Sequence, residues 1–304
     1  MNYKKIFRSR SLRLGLLRLL SFVPDKPMVK LQYRIKMGRR LDLKNPRRLT
    51  EKMQWYKLYY RNPLMIRCVD KADVRGYVEE KGLGHLLIPL IGVYDSADEV
   101  DWEHLPDRFV MKDTLGGGGN SVEIVPDKSK ADPQDLRRAA ERWTKINPRV
   151  RGGGREWMYN HGKNHRILFE EYIDPPKDSA SLIDYKFFCF GGKAAFVYAM
   201  GDRDVGSSVK VSLFDRDFNK LPVRRVGDAD FDGVRKPENY EELLATAEKL
   251  SEDFPHVRVD LYDVDGRILF GELTFFNASG YMQYDPDSFD LEMGEKFVLP
   301  DRMG

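Results

Sequence analysis

The chain has 304 residues, 41% hydrophobic and 33% charged, a composition that excludes a disordered or collagen-like polymer and leaves room for about two domains at ~150 residues each. No apolar run approaches the ~18 residues a membrane-spanning helix needs. Its two cysteines, Cys68 and Cys189, have no paired spacing, so neither a disulfide framework nor a cysteine-based zinc site is expected, and a reducing cytoplasm is the expected location.

The net charge of +3 conceals an asymmetry. Residues 1–48 carry fifteen Lys and Arg against Asp25 and Asp42, which makes them +13 and the remainder −10. They read as a basic arm that would meet an anionic partner. The stretch from Leu12 to Val23 is broken by Arg13 and Arg18 and lacks a small-residue cleavage site, so it is not read as a secretory signal. Leu12, Leu16, Leu19, Leu20 and Val23 recur at helical spacing. That pattern suits an interfacial membrane helix or a helix packed on the protein's own body.

After the arm, a helix is expected from about Thr50, as N-cap, to Tyr60, and a second from Asp70 to Lys81, ended by Gly82 and Gly84. Leu86–Val93, interrupted by Pro89, Arg108–Lys112 and Ser121–Val125 read as strands, and Gln134–Lys145 as a helix. The three glycines of Arg151–Arg155 read as a loop. Strands follow at Ile167–Ile173, Tyr185–Phe190, Lys193–Ala199 and Val209–Phe214, then a helix at Tyr240–Phe254. The last strands, Val257–Asp263 and Arg267–Phe276, join across Asp265-Gly266, a strong hairpin signal. The order is α+β with antiparallel pairing in the second half, not an alternating dinucleotide-binding chain.

Two places carry chemistry. Gly116, Gly117, Gly118 and Gly119 leave backbone N–H groups unobstructed, and Lys112 stands before them at the end of an apolar strand. This is a mobile surface loop or a cover for phosphate, although no Lys-Ser/Thr follows as in a P-loop. On the hairpin, Asp260 lies five residues before the Asp265-Gly266 turn and Glu272 six after it. Two carboxylates so placed can share a magnesium ion, and Arg258, on the same strand face, can steady a transferring phosphoryl group. Their apolar neighbours argue against a purely solvated pair. His161 and His165 are four apart but lack the Glu that a zinc-protease helix requires. Asp-x-Asp triplets, among them those beginning at Asp202, Asp215, Asp228, Asp263 and Asp285, read as turns, though one could hold a nucleotide-sugar metal.

Taken in order, these segments resemble the ATP-grasp enzymes, and more narrowly the bacterial TupA-like group of teichuronopeptide biosynthesis. The matching pieces are LTEKMQWYKLYYRNPL from Leu49, Asp70-Lys71, Pro89, FVMKDTLGGGGNSVEIV from Phe109, ILFEEYI from Ile167 and VRVDLYDVDGRILFGELTFFNASGY from Val257. The resemblance implies an ATP-grasp fold, two α+β lobes with ATP between antiparallel sheets. It divides the chain into the arm 1–48, a helix-strand region 49–108, a lid with the glycine flap 109–173 and a catalytic part 174–304. Lys71 and Lys112 would contact ATP phosphates, and Gly116–Gly119 with Asn120 would form the flap. Glu170, Glu171 and Ile173 match the adenine linker, and Asp184 is a looser candidate for the ribose. Arg258 would face phosphate, and Asp260 and Glu272 would hold magnesium, two ions being expected. The family usually has Asn two residues after the second acid; here it is Thr274, with Asn277 three residues on, so either completes the metal site. Lys186 and Arg203 read as contacts for an acidic substrate or for phosphate, or as surface charge.

The implied activity is ATP-dependent ligation of a carboxylate, a uronate of a cell-surface polysaccharide or its precursor, to an amine or amino acid. Rival readings are a glycosyltransferase of the same assembly and a non-catalytic ATP-binding scaffold. The arm would reach the anionic inner face of the membrane, and its scarcity of aromatics argues against nucleic acid.

Overall fold

A computed structural model describes residues 20–117, 121–177, 181–201 and 210–303. Helix α1 spans Asp25–Met37 and buries Met28, Val29, Gln32, Tyr33 and Met37, one stripe at helical spacing. The chain leaves it through Gly38, whose φ of 71° is the left-handed cap that glycine adopts without strain. Residues 25–48 therefore do not stand apart as an arm: Leu41 and Leu43 join Val29, Tyr33 and Trp55 in one core. Of the expected Leu12–Val23 helix, only its end is described, as a short turn at Leu20–Phe22.

Helix α2 spans Leu49–Tyr59, and its N-cap is Arg48, not Thr50. The carboxylate of Glu51 reaches back to the N–H groups of Arg47 (3.0 Å) and Arg48 (3.2 Å) and satisfies donors the first turn leaves open. Thr50 is buried instead, where its hydroxyl donates to Asp290 at 2.8 Å.

Two short helices follow, α3 at Leu64–Val69 and α4 at Val74–Glu80, where the sequence predicts one helix from Asp70 to Lys81. Strands β1 (Leu90–Tyr94), β2 (Phe109–Asp113), β3 (Val122–Val125) and β4 (Ile167–Glu171) form an antiparallel sheet ordered β1-β4-β2-β3. Helix α5, Pro133–Thr144, begins at the Asp132 cap, which accepts from Gln134 N, with Pro133 in the first turn. Its Leu136, Ala139, Ala140 and Trp143 pack on Phe109, Met111, Val125 and Phe169.

The second sheet contains β5 (Asp184–Phe190), β6 (Lys193–Gly201), β7 (Lys210–Asp215), β9 (His256–Val264) and β10 (Arg267–Thr274), in the order β10-β9-β5-β6-β7, all antiparallel. Strand β8 (Arg224–Arg225) pairs with β11 (Tyr284–Asp285); helices α6 (Tyr240–Ser251) and α7 (Ser288–Lys296) complete this part. Asp265 and Gly266 both have positive φ, the two-residue turn the sequence predicts. The chain separates into two units: Pro63–Val150 with Met158–Asp174, and the described residues of Met1–Asn62, Arg151–Trp157 and Pro175–Gly304. Residues 49–62 thus group with the C-terminal part, whereas the sequence boundaries join them to 63–108.

The face of β5 that carries Phe188 and Phe190 is aromatic. His256 stacks on Phe190 at 4.7 Å and donates Nδ1–H to the Cys189 carbonyl at 2.9 Å. Burial lowers the His256 pKa from 6.5 to about 4. Between those values the unfolded chain binds a proton that the folded chain does not, so folding stability falls as pH drops through that window. Urea denaturation from pH 7 to 4 should show His256→Phe losing about 3 kcal/mol less stability than the parent; parallel curves would show that folding leaves the His256 pKa unchanged.

Candidate functional site

In the smaller unit, alternation along β2 buries Phe109, Met111 and Asp113 and leaves Lys112 on the other face. Glu170 of β4 lies opposite Val110 and shares that face. Lys112 Nζ is 2.5 Å from one Glu170 oxygen, and Arg75 of α4 is 3.1 Å from the other. Lys71 donates to the carbonyls of Asp113 (3.1 Å) and Gly116 (2.5 Å), pinning the start of the glycine run. Gly116 has no room for a side chain, since a Cβ would lie 2.3 Å from Ser121 Cβ. The Asp113 carboxylate meets His165 Nδ1 at 2.8 Å, which gives that histidine a structural partner. Asp70 is wholly buried. Burial opposes its ionisation, but Lys163 and Arg166 outweigh that and hold its carboxyl below the ordinary value.

In the larger unit a single inserted residue sets the site. Phe270 pairs with Leu261 and Glu272 with Asp260, so Gly271 is a bulge in β10. A regular ladder would turn Glu272 to the Leu261 side; the extra residue turns it to the Asp260 side. Its six-versus-five offset from the turn is this bulge. A Cβ on Gly271 would lie 3.0 Å from the Asp260 carbonyl, so the close approach suits glycine.

The pairings Lys186↔Asp260 and Arg258↔Thr274 complete one face bearing Asp184, Lys186, Arg258, Asp260, Glu272 and Thr274. Arg258 binds both oxygens of Asp260 at 2.6 Å, Glu272 at 2.8 Å and Thr274 at 3.0 Å, and also donates to Asn277. Lys186 donates to Asp184 at 2.5 Å and to Asp260. Two cations face three carboxylates. Burial pushes the Asp260 carboxyl up to about 6, against the pull of Arg258 and Lys186 and with the help of Asp184 and Glu272. Burial also opposes the Arg258 charge, but the Asp260 carboxylate outweighs it and holds the guanidinium above its ordinary range.

Asn277 opens a turn in which Ala278, Ser279 and Gly280 have φ of 47°, 54° and 72°. Non-glycine residues in that region are strained. The fully buried Lys57 holds the turn from below, donating to Ser279 O (2.7 Å), Gly154 O (2.9 Å) and Gln54 (3.0 Å). Gln54 donates to Ser279 O and Gly280 O, and Ser279 Oγ to Glu156 at 2.6 Å. Burial lowers the Lys57 pKa to about 7.

The model of one protein family, described as TupA-like ATPgrasp, matches residues 51–298. The chain belongs to the TupA-like ATP-grasp family. Comparison with curated proteins gives no match. Among solved structures, a D-alanine–D-alanine ligase from Bacillus anthracis shares 16% identity at a TM-score of 0.42, covering 74% of this chain and 59% of its own. An N5-carboxyaminoimidazole ribonucleotide synthetase from Thermus thermophilus shares 11% at 0.41, covering 71% and 48%. The ATP-grasp ligase PsnB, complexed with a precursor variant, Mg and ADP, shares 10% at 0.40, covering 74% and 57%. The chain spans roughly half to three-fifths of the length of these structures.

For this ATP-grasp chain, the structure brings together Lys186, Arg258, Asp260, Glu272, Thr274 and Asn277, and joins Asp184 to them. In the smaller unit it gathers Lys71 with Gly116 and Lys112 with Glu170; Gly117 adjoins them, Glu171 is exposed at the end of β4, and Ile173 lies beyond that strand. Gly118, Gly119, Asn120 and Arg203 lie outside the described residues. Sequence reasoning missed Arg75, whose signal is a cation four residues after Lys71, and the set Gln54, Lys57 and Glu156, whose partners are distant carbonyls and a hydroxyl. Four of the named Asp-x-Asp triplets fall among described residues. Asp215 caps the N–H groups of Asp217 and Asn219, while Asp228, Asp230 and Asp285 pair with cations and Asp263 accepts from Gly266 N in the hairpin turn, as the turn reading expects. Among the described residues no group of three His, Cys, Asp or Glu is arranged to hold a metal. The oxygens of Asp260, Glu272, Thr274 and Asn277 nevertheless fit the hard-donor chemistry of magnesium.

Removing one carboxylate tests the charge balance. Asp260→Asn removes the one carboxylate that Arg258 and Lys186 share and should cost about 3–5 kcal/mol in chemical denaturation. Glu272, 41% exposed at its side chain, should cost less than about 1 kcal/mol as Glu272→Gln. Equal losses would contradict the assignment of Asp260 as the central counter-charge.

Proposed function

We propose that the protein is an ATP- and magnesium-dependent carboxylate–amine ligase. The observation that carries this reading is the face on which Lys186 and Arg258 are buried among Asp184, Asp260 and Glu272, in a chain of the ATP-grasp family. Lys71, Lys112 and the glycine run from Gly116 to Asn120 would bind the phosphates of ATP, with Arg75 beside Lys112. Glu170, Glu171 and Ile173 would border the adenine, and Asp184, already engaged by Lys186, would be drawn to the ribose less readily. Asp260 and Glu272, with Thr274 or Asn277, would hold magnesium, two ions in the full site. Magnesium, when bound, neutralises charge on the phosphates.

An oxygen of the substrate carboxylate would attack the γ-phosphorus, breaking its bond to ADP and giving an acylphosphate. An amine lone pair would then attack the acyl carbon; the carbon–oxygen bond to phosphate breaks and the nitrogen loses a proton. Arg258 would meet the negative charge of the transferring group, and binding both reactants in one site would supply proximity. Lys186, with Arg203, is the proposed contact for an acidic substrate. The kinship with teichuronopeptide biosynthesis supports a uronate-containing cell-surface polysaccharide, or its precursor, as acceptor and an amino acid or amine as the second substrate. The basic residues of 1–48 would keep the enzyme at an anionic inner membrane surface on the cytoplasmic side, and no nucleic-acid partner is proposed.

Thermal-shift titration at millimolar magnesium should show stabilisation by ATP and none by a UDP-sugar. The reverse would favour a glycosyltransferase, and ATP binding without phosphate release from any uronate and amine pair would favour a scaffold.

Lys112→Ala should weaken ATP binding at least about tenfold, because it removes a ground-state phosphate contact. Glu272→Gln should keep nucleotide binding within a few-fold while phosphate release falls at least about 100-fold. A fully active Glu272→Gln enzyme would leave the hairpin acids with a structural role only.

A further inference from the structure

Helix α1 turns an unusual surface outward. Its inward stripe is Met28, Val29, Gln32, Tyr33 and Met37. Opposite it, residues four apart build two adjacent exposed stripes, one basic (Lys26, Lys30, Arg34) and one apolar (Pro27, Leu31, Ile35). Leu31 is 52% exposed and Ile35 45%, and Phe22, three residues before the helix, is 76% exposed. The helix carries a single acid, Asp25, which is engaged by Arg155 at the inward end of the first turn. Two large aliphatic side chains beside the lysines and arginine give this face apolar area as well as positive charge. Parallel basic and apolar stripes on one exposed helix are the pattern of a segment lying in a lipid interface.

We propose that this outer face of α1 docks on an anionic lipid bilayer, with Leu31 and Ile35 entering the acyl boundary and Lys26, Lys30 and Arg34 meeting the headgroups. Charge complementarity selects this occupant: residues 1–48 hold +13 while the rest of the chain holds −10, so an anionic sheet would attract this end and repel the remainder. Among the described residues no helix is long and apolar enough to cross a membrane. The inference rests on the reading that the basic segment holds the protein at an anionic surface, and adds which residues touch it.

Sedimentation of the full-length protein with phosphatidylglycerol-containing and purely phosphatidylcholine vesicles tests it. The parent should bind the anionic vesicles and lose binding as salt rises. The double variant Leu31→Gln/Ile35→Gln should bind about 30-fold more weakly, and each of Lys26→Ala, Lys30→Ala and Arg34→Ala about fivefold more weakly. Light scattering and melting temperature should be unchanged for the double variant. Parent-like binding by the double variant would overturn the docking face while leaving a charge-only attachment standing. No binding by the parent would overturn both. A lowered melting temperature would assign the stripe to the protein's own core, and a dimer abolished by the double variant would assign it to a second copy.

Discussion

Lys186 and Arg258 are buried in the middle of a β-sheet, and everything around them answers the cost of placing two cations there. A charged group out of water is tolerated only when paired and hydrogen-bonded. Asp260 meets both cations, Asp184 and Glu272 each meet one, and Thr274 and Asn277 fill donor sites that would otherwise be empty. This explains why β10 contains a bulge. Were Gly271 paired in a regular ladder instead of bulged, Glu272 and Thr274 would project from the opposite face and Arg258 would keep Asp260 but lose two of its partners. It also links the sheet to the strained turn, because the Asn277 that satisfies Arg258 opens the left-handed stretch that Gln54, Lys57 and Glu156 hold in place.

The balance of charge differs between the two units. On the larger unit's face, three carboxylates outnumber two cations, a surplus suited to a divalent cation whose arrival would free Arg258 to meet an anion. On the smaller unit, Lys112 and Arg75 share the Glu170 carboxylate, while Lys71 donates to the carbonyls of Asp113 and Gly116. Two cations there meet one carboxylate, and Glu170 holds both side chains in place.

Much of this is legible in the sequence where the signal is local. The strands from Ile167 to Phe276 follow alternation closely enough that their ends move by a residue or two, and Asp265-Gly266 reads correctly because its backbone demand is met by those two residues alone. Asp132-Pro133 marks the start of α5 for the same reason. Long-range effects defeat such reading. Thr50 has the chemistry of an N-cap, yet Asp290, 240 residues away, takes its hydroxyl, and Glu51 caps the helix instead. Helix α1 disappears into a basic arm when only the sequence is read, because its charges and two exposed aliphatics hide the buried stripe. Lys57 gives no sequence signal at all, since it answers to carbonyls more than ninety positions away. The pairing of Asp260 with Glu272 is visible as an uneven offset about the turn, although the bulge that makes it work is recognisable only once the register is known.

The central claim is that this buried charge cluster is the metal-binding half of an ATP-grasp site. Crystals soaked with manganese and ADP would test it through anomalous scattering. The account predicts a manganese peak about 2–2.3 Å from carboxylate oxygens of Glu272 and Asp260, with Arg258 moved off at least one of them. A peak elsewhere, or an intact Arg258–Asp260–Glu272 network with bound nucleotide and no metal beside it, would contradict it.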